Sequence, residues 1–171
     1  MNFIRFIIAG VSIFLSACSG IVTTNVTNEI DTDNINKALI TSSEESKYIP
    51  CQFLKAYSGL PFSGAIKTDT IGNTDKVIQE ELKKFGVDGV IEKPGEHYND
   101  IDLIIKHTQT WRCDMTDVLD ELYIHIIQPS SNKAIAESHY KIGNREFHDF
   151  PLPEDYVPIM IKELMTKKIN P

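Results

Sequence analysis

Ile101-Asp102-Leu103-Ile104-Ile105-Lys106-His107-Thr108-Gln109-Thr110-Trp111-Arg112 is the stretch from which the fold is read. Ile101, Leu103 and Ile105 alternate with Asp102 and Lys106, and the β-favouring Thr108, Thr110 and Trp111 carry the run on, the period-two pattern of a half-buried strand. A second such run covers Leu119 to Gln128 and a third Lys133 to Ile142, parted by the turn residues Pro129-Ser130-Ser131-Asn132. Three strands joined by short polar turns predict an antiparallel meander.

The helices expected on this meander lie to either side of it in the chain. Asp155 opens one, with Pro158 in its first turn and Val157, Met160, Ile161, Leu164 and Met165 as its buried stripe. Asn73 or Thr74 can cap the other, which runs to Phe85 with Val77, Ile78, Leu82 and Phe85 on one face and Gly86 as its left-handed stop. Val87 to Ile91 then predicts a strand ended by Lys93-Pro94-Gly95-Glu96, and Lys37 to Thr41 a short first strand before the polar turn Ser42 to Ser46. Residues 48–57 fit a strand at positions 49, 51 and 53 and a helical face at 53, 54 and 57, and the pattern does not choose between them. Two helices on one face of an antiparallel meander make an α+β, two-layer sandwich, expected over residues 37–171.

Gly59, Pro61 and Gly64, then Asp69 to Asn73, punctuate a loop over 58–73. Such an excursion is either a tolerated insertion or the best address for a binding surface.

The first eighteen residues follow a different logic. Arg5 precedes the apolar run Phe6 to Leu15, which gives way to the small residues Ser16 and Ala17 before Cys18, the order of a secretory signal. About ten apolar residues are half of the ~20 that a membrane-crossing helix needs. Leu15-Ser16-Ala17-Cys18 resembles the lipobox of bacterial lipoproteins. That resemblance implies cleavage of residues 1–17, acylation of Cys18, and a membrane as partner through its acyl chains. A single chain holds only marginally, whereas three on one residue anchor a protein stably. Ser19, a non-acidic residue at the sorting position, implies passage to the outer membrane with the domain facing the periplasm. Residues 18–36, rich in Thr, Asn and Asp, read as a lipidated, flexible tether. The plainer alternative is an ordinary cleaved signal peptide that Cys18 happens to follow.

Removing residues 1–17 leaves 154 residues, enough for one domain with its own core, and takes away a single base, so a formal charge of −7 becomes −8. A dispersed acidic balance argues against nucleic acid as a partner, since duplex binding needs a concentrated basic face. Cys51 and Cys113 then remain in an oxidising compartment and predict one disulfide, the alternative being two separately buried thiols.

From Ile101 to about Met165 the chain resembles a group of small proteobacterial lipoproteins, on the strength of Asp102-Leu103-Ile104-Ile105, of Trp111 with Asp114-Met115, and of Ala136-Glu137-Ser138-His139-Tyr140. Members of that group carry a Cys near the start of the strand that begins here at Ile101, whereas this chain has Cys113 after Trp111. The arrangement is also similar to the compact α+β domains of periplasmic assembly proteins, such as the TolB amino-terminal domain.

His97, His107, His125, His139 and His148 are the residues most open to assembly into a site. Simple antiparallel registers put His107 near His125, with His139 nearer Leu122 and several residues off, so three histidines on a half-solvated sheet face are expected rather than a metal centre. Asp114, Asp117, Asp120 and Glu121 lack the Gly and the spacing of a calcium loop and read as an acidic turn. Nucleophile, zinc, phosphate-loop and dinucleotide motifs are absent from the sequence, so no catalytic residue, metal ligand or cofactor is expected. The expected function is that of an envelope interaction or assembly module with a protein partner. A rival from another class is a hydrolase or ligand-binding lipoprotein whose site joins the 58–73 loop to the histidine-bearing strands.

Overall fold

The computed structural model describes residues 20–27, 30, 34–49, 68–114, 116–143 and 151–167. In chain order the elements are β1 (Ile21–Val26), β2 (Lys37–Ser42), β3 (Lys47–Ile49), α1 (Thr68–Lys83), β4 (Asp88–Ile91), β5 (Leu103–Asp114), β6 (Thr116–Gln128), β7 (Lys133–Lys141) and α2 (Pro153–Thr166). The seven strands form one sheet in the order β1-β7-β6-β5-β2-β4, with β3 also paired to β5. Both helices cover a single face, so the α+β two-layer architecture holds.

The meander is present as β5-β6-β7, antiparallel throughout. The other half of the sheet is parallel: β2 lies between β4 and β5 and runs alongside both. A parallel neighbour cannot be reached by a tight turn, and α1 supplies the long crossover between β2 and β4. The sheet is therefore mixed, a feature that local periodicity does not record. β2 and β3 occupy successive lengths of the same edge of β5, Ala38 opposite Leu103 and Tyr48 opposite Trp111. The turn between them stays fastened, Ser43 N donating to His107 O at 2.8 Å and Gln109 N to Ser46 Oγ at 3.2 Å.

Residues 21–26, read from sequence as part of a tether, are instead an edge strand in which all six residues pair with β7, from Ile21 opposite Lys141 to Val26 opposite Ala136. Val22 and Val26 pack on the core while Ile21, Thr23 and Asn25 face solvent. That alternation is short and its apolar members sparse, so only the β7 edge lifts it above the polar background.

The core lies between the sheet and the helices. Alternate residues point inward: Ala38 and Ile40 on β2; Leu103, Ile105 and Trp111 on β5; Leu122, Ile124 and Ile126 on β6; Tyr140 on β7. Against them α1 sets Val77, Ile78 and Leu82, and α2 sets Val157, Met160, Ile161 and Leu164, the stripes expected from period 3.6. Each fully buried aliphatic side chain contributes roughly 1.5–3 kcal/mol.

Both helices start earlier than their sequence signals. Thr74 does not cap α1: it lies within the helix, fully buried, and its hydroxyl donates to Gln109 Oε1 at 3.0 Å. Asn73 donates to Glu154 on α2. Pro153, where a missing N–H costs nothing, begins α2. Asp155 sits at its third position and accepts from Leu152 N at 2.9 Å. Gly86 does stop α1, at φ 77°, with Gly86 N donating to Lys83 O and Val87 N to Leu82 O. Buried Val87 and Leu82 provide the apolar contact of this Schellman ending.

Candidate functional site

With both helices on one side, the other face of the sheet is left open among the described residues. Alternation assigns the side chains that stand on it. Leu39 is opposite Val90 on one side and Ile104 on the other, and Ile104 is opposite Ile127, so four apolar, half-buried side chains form a continuous row across β4, β2, β5 and β6. The next row holds Thr41, Lys106, His125 and Glu137, and the one after it Thr108, Tyr123, His139 and Thr23.

Tyr123 sits at the centre of a ring cluster. Its centroid is 4.0 Å from that of His139 across the strand pair, at 6° between planes, and 6.3 Å from that of His125 two residues on, at 3°. His139 Nε2 is buried and has no hydrogen-bond partner among the described residues. Burial, the largest influence, holds the His139 imidazole below its ordinary pKa, with the Lys141 charge adding to the effect and the Glu121 and Glu137 carboxylates opposing it. Lys141 is in turn held above its ordinary value by Glu121, whose carboxylate accepts from its ammonium at 2.9 Å.

The five histidines divide. His125 and His139 share the open face in adjacent rows, His139 opposite Tyr123 and not Leu122, one residue from the expected register. His107 is opposite Ile124 while Lys106 is opposite His125, so His107 is close to His125 in register but points through the sheet to the helix side. There it is fully buried, Nε2 lying 2.5 Å from Asp75 Oδ1 of α1. A ring without accessible surface cannot meet a substrate. The pair fastens α1 to β5, next to the hub in which Gln109 Oε1 accepts from both Thr74 Oγ1 and Trp111 Nε1. His97 is exposed in the β4–β5 connection, and His148 lies outside the described residues. Among the described residues no group of three or more His, Cys, Asp or Glu is arranged to hold a metal ion.

The expected acidic turn is largely strand. Asp117, Asp120 and Glu121 belong to β6; Asp120 pairs with Arg112 at 3.1 Å and Glu121 with Lys141. Cys18, Ser19 and Cys51 lie outside the described residues, as does the side chain of Cys113, and so do positions 58–67 of the expected loop, while 68–73 belong to α1. A shallow groove of about 290 Å³ opens at the end of the sheet between Ile30, Ile35, Asp102, Leu103, Gln128 and Ile135. Asp102 is already engaged there: its Oδ2 accepts from Asn36 N at 2.9 Å and Lys37 N at 3.0 Å, which holds its carboxyl below the usual carboxylate range.

No protein-family model matches this sequence, and no curated protein is significantly similar to it. Solved structures do share its architecture. The PelC dodecamer from Paraburkholderia phytofirmans superposes with a TM-score of 0.50 at 12% identity, over 86% of this chain and 97% of that one. A point variant of it gives 0.50 at 10% identity, over 86% and 95%. A PDZ domain protein from Parabacteroides distasonis reaches 0.49 at 14% identity, over 91% of this chain and 38% of its own length. The likeness to PelC is one of fold.

What this fold leaves for function is an open sheet face with an apolar, half-buried row and a ring cluster. Sequence reasoning missed Tyr123, Leu39, Ile104 and Ile127 as surface residues because an outward-facing apolar side chain has the same period as an inward one. The signal that could have found them is the doubled apolar content of Leu103-Ile104-Ile105 and Ile124 to Ile127, strands apolar on both faces.

Proposed function

We propose that the chain is a lipid-anchored lipoprotein of the bacterial outer membrane, acylated at Cys18, whose periplasmic α+β domain is an interaction or assembly module that docks a protein surface on the open face of its sheet. The observation behind it is the row Val90, Leu39, Ile104 and Ile127 beside Tyr123, on a face free of helices among the described residues. Apolar and aromatic side chains on a pre-formed surface provide the low-entropy anchors of protein interfaces. The outer backbone edges of β1 and β4, terminal in the sheet order, offer a second means of docking, by strand addition. The anchor reading is supported by the leader of residues 1–17 with its lipobox-like end, while among the described residues no helix is long and apolar enough to cross a membrane.

The rival, a hydrolase or ligand-binding lipoprotein, calls for a pocket where histidine and carboxylate converge. Among the described residues the groove contains Asp102 but no histidine, and His125 and His139 stand on the open face of the sheet, away from that groove. Docking is therefore the better supported reading. PelC is described as a dodecamer, so a second copy of this chain is one partner that the test must recognise.

Crosslinking in intact cells tests the proposal, comparing the native chain, Cys18→Ala, a face variant carrying Tyr123→Ala with Ile127→Lys, and the control Glu96→Lys. The native chain and the control are expected to give the same discrete adduct, and the face variant about tenfold less or lower still, the loss that follows when interface anchors are removed. An adduct equal in native chain and face variant, or none in the native chain, overturns the docking reading. Mass spectrometry of the purified product decides the anchor separately: three acyl chains on Cys18 are expected, and a bare amino terminus overturns it.

A further inference from the structure

Among the described residues, the large apolar side chains most exposed to solvent are Ile21 at 61%, Ile159 at 45% and Leu152 at 44%. Ile21 opens β1, directly after Gly20. Leu152, the residue that precedes α2 at its N-cap, and Ile159 are about two turns apart, and Tyr156, between them, belongs to the same flank of the helix. The Tyr156 hydroxyl accepts from Gly20 N at 3.3 Å, and its ring stacks on that of Tyr140 with centroids 3.9 Å apart. Gly20 is pressed so closely on this pair that a Cβ there would come within 2.1 Å of Tyr140 Cε2. Only Gly fits, and the chain is fixed at this point.

Only Ser19 separates Gly20 from Cys18. Two chain steps span at most ~7 Å, so an acylated Cys18 brings the bilayer to within that distance of Gly20. Resting on the anchor reading above, we infer that this end of the domain is a membrane-docking surface in which Leu152 and Ile159, on the flank of α2 beside the point where the chain enters the fold, enter the interface of a zwitterionic bilayer. The occupant is set by where the chain leaves the fold and by the charge around the patch. Glu154 and Asp155 are exposed beside Leu152, and Lys141, opposite Ile21, is neutralised by Glu121. With no basic excess, attraction to anionic headgroups contributes little and apolar burial decides. A domain so held cannot tumble on its anchor, and the strand order puts β4 about 24 Å from β1, at the far edge of the sheet.

Tryptophan quenching tests this on the acylated mature chain in phosphatidylcholine vesicles with brominated acyl chains. The native Trp111 is the chain's single tryptophan and is buried, so it contributes a constant background. Ile159→Trp reports on the patch, and Lys93→Trp, in the exposed connection after β4, on the far edge. The α2 reporter is expected to lose about half of its emission or more and the far one almost none, as shallow burial at the headgroup boundary implies. A six-residue Gly/Ser insertion between Ser19 and Gly20 should leave vesicle flotation unchanged and abolish the difference between reporters. Flotation with an unquenched α2 reporter, equal quenching of both reporters, or quenching that requires anionic lipid overturns the docking while leaving the anchor intact. Absence of acyl chains on Cys18 overturns both.

Discussion

At the scale of single residues the ring cluster shows how position on a sheet alters chemistry. His139 stacks on Tyr123 with its Nε2 out of water, so the folded protein resists the proton that the unfolded chain accepts near the ordinary histidine value of 6.5. Because the folded value is the depressed one, the stabilisation is complete above pH 6.5 and is lost as pH falls below it. We expect thermal unfolding of the native chain to move to lower temperature between pH 7 and pH 5 by more than that of His139→Phe, which keeps the stack and cannot ionise. Parallel melting curves for the two proteins across that range would contradict the assignment. His107 belongs to the same scale. From sequence it differs little from His125, yet one residue of register sends it through the sheet to Asp75.

At the scale of elements, the ends of helices and strands were legible where a backbone conformation admits few residues. Gly86 is such a place. Its φ of 77° is easy for glycine and costs an L side chain about 1–2 kcal/mol, and no atom within 4 Å would obstruct a methyl group. Gly86→Ala should therefore lower the melting temperature by roughly 2–8 °C through backbone strain alone, with the sheet unchanged by circular dichroism. A variant as stable as the native chain would mean that α1 ends otherwise. The start of α1 was not legible, because Asn73 and Thr74 have the chemistry of caps but use it elsewhere, on Glu154 and Gln109. A hydroxyl that caps a helix and one that bonds across a core are the same residue in a sequence. Only the neighbouring strand separates the two uses.

At the scale of the whole molecule the decisive contact is between chain segments more than 100 residues apart, β1 and β7. Without β1, the β7 edge is bare and the core loses the partly buried Val22 and Val26, which together contribute about 1–3 kcal/mol. A chain beginning after Thr27 is expected to unfold at lower temperature and to associate in a concentration-dependent way through the exposed edge, visible by light scattering. Equal stability and a monomeric form would show that β1 is dispensable. The same pairing makes residues 21–26 of the expected tether an edge strand, and in the sequence only Ser19 stands between Cys18 and the first described residue, Gly20.

The sequence alone determined the meander, the apolar stripes of both helices, the stop at Gly86 and the α+β class, since each depends on a local period or on one residue's backbone preference. The tertiary structure decided the rest: the parallel half of the sheet, the edge strand β1, the separation of His107 from His125 and His139, and the open apolar row. Those features depend on which segments pair across long stretches of chain and on which face each side chain then meets. Hydrogen bonding between distant strands and the exclusion of water by two helices set them, and neither leaves a periodic trace in the order of the residues.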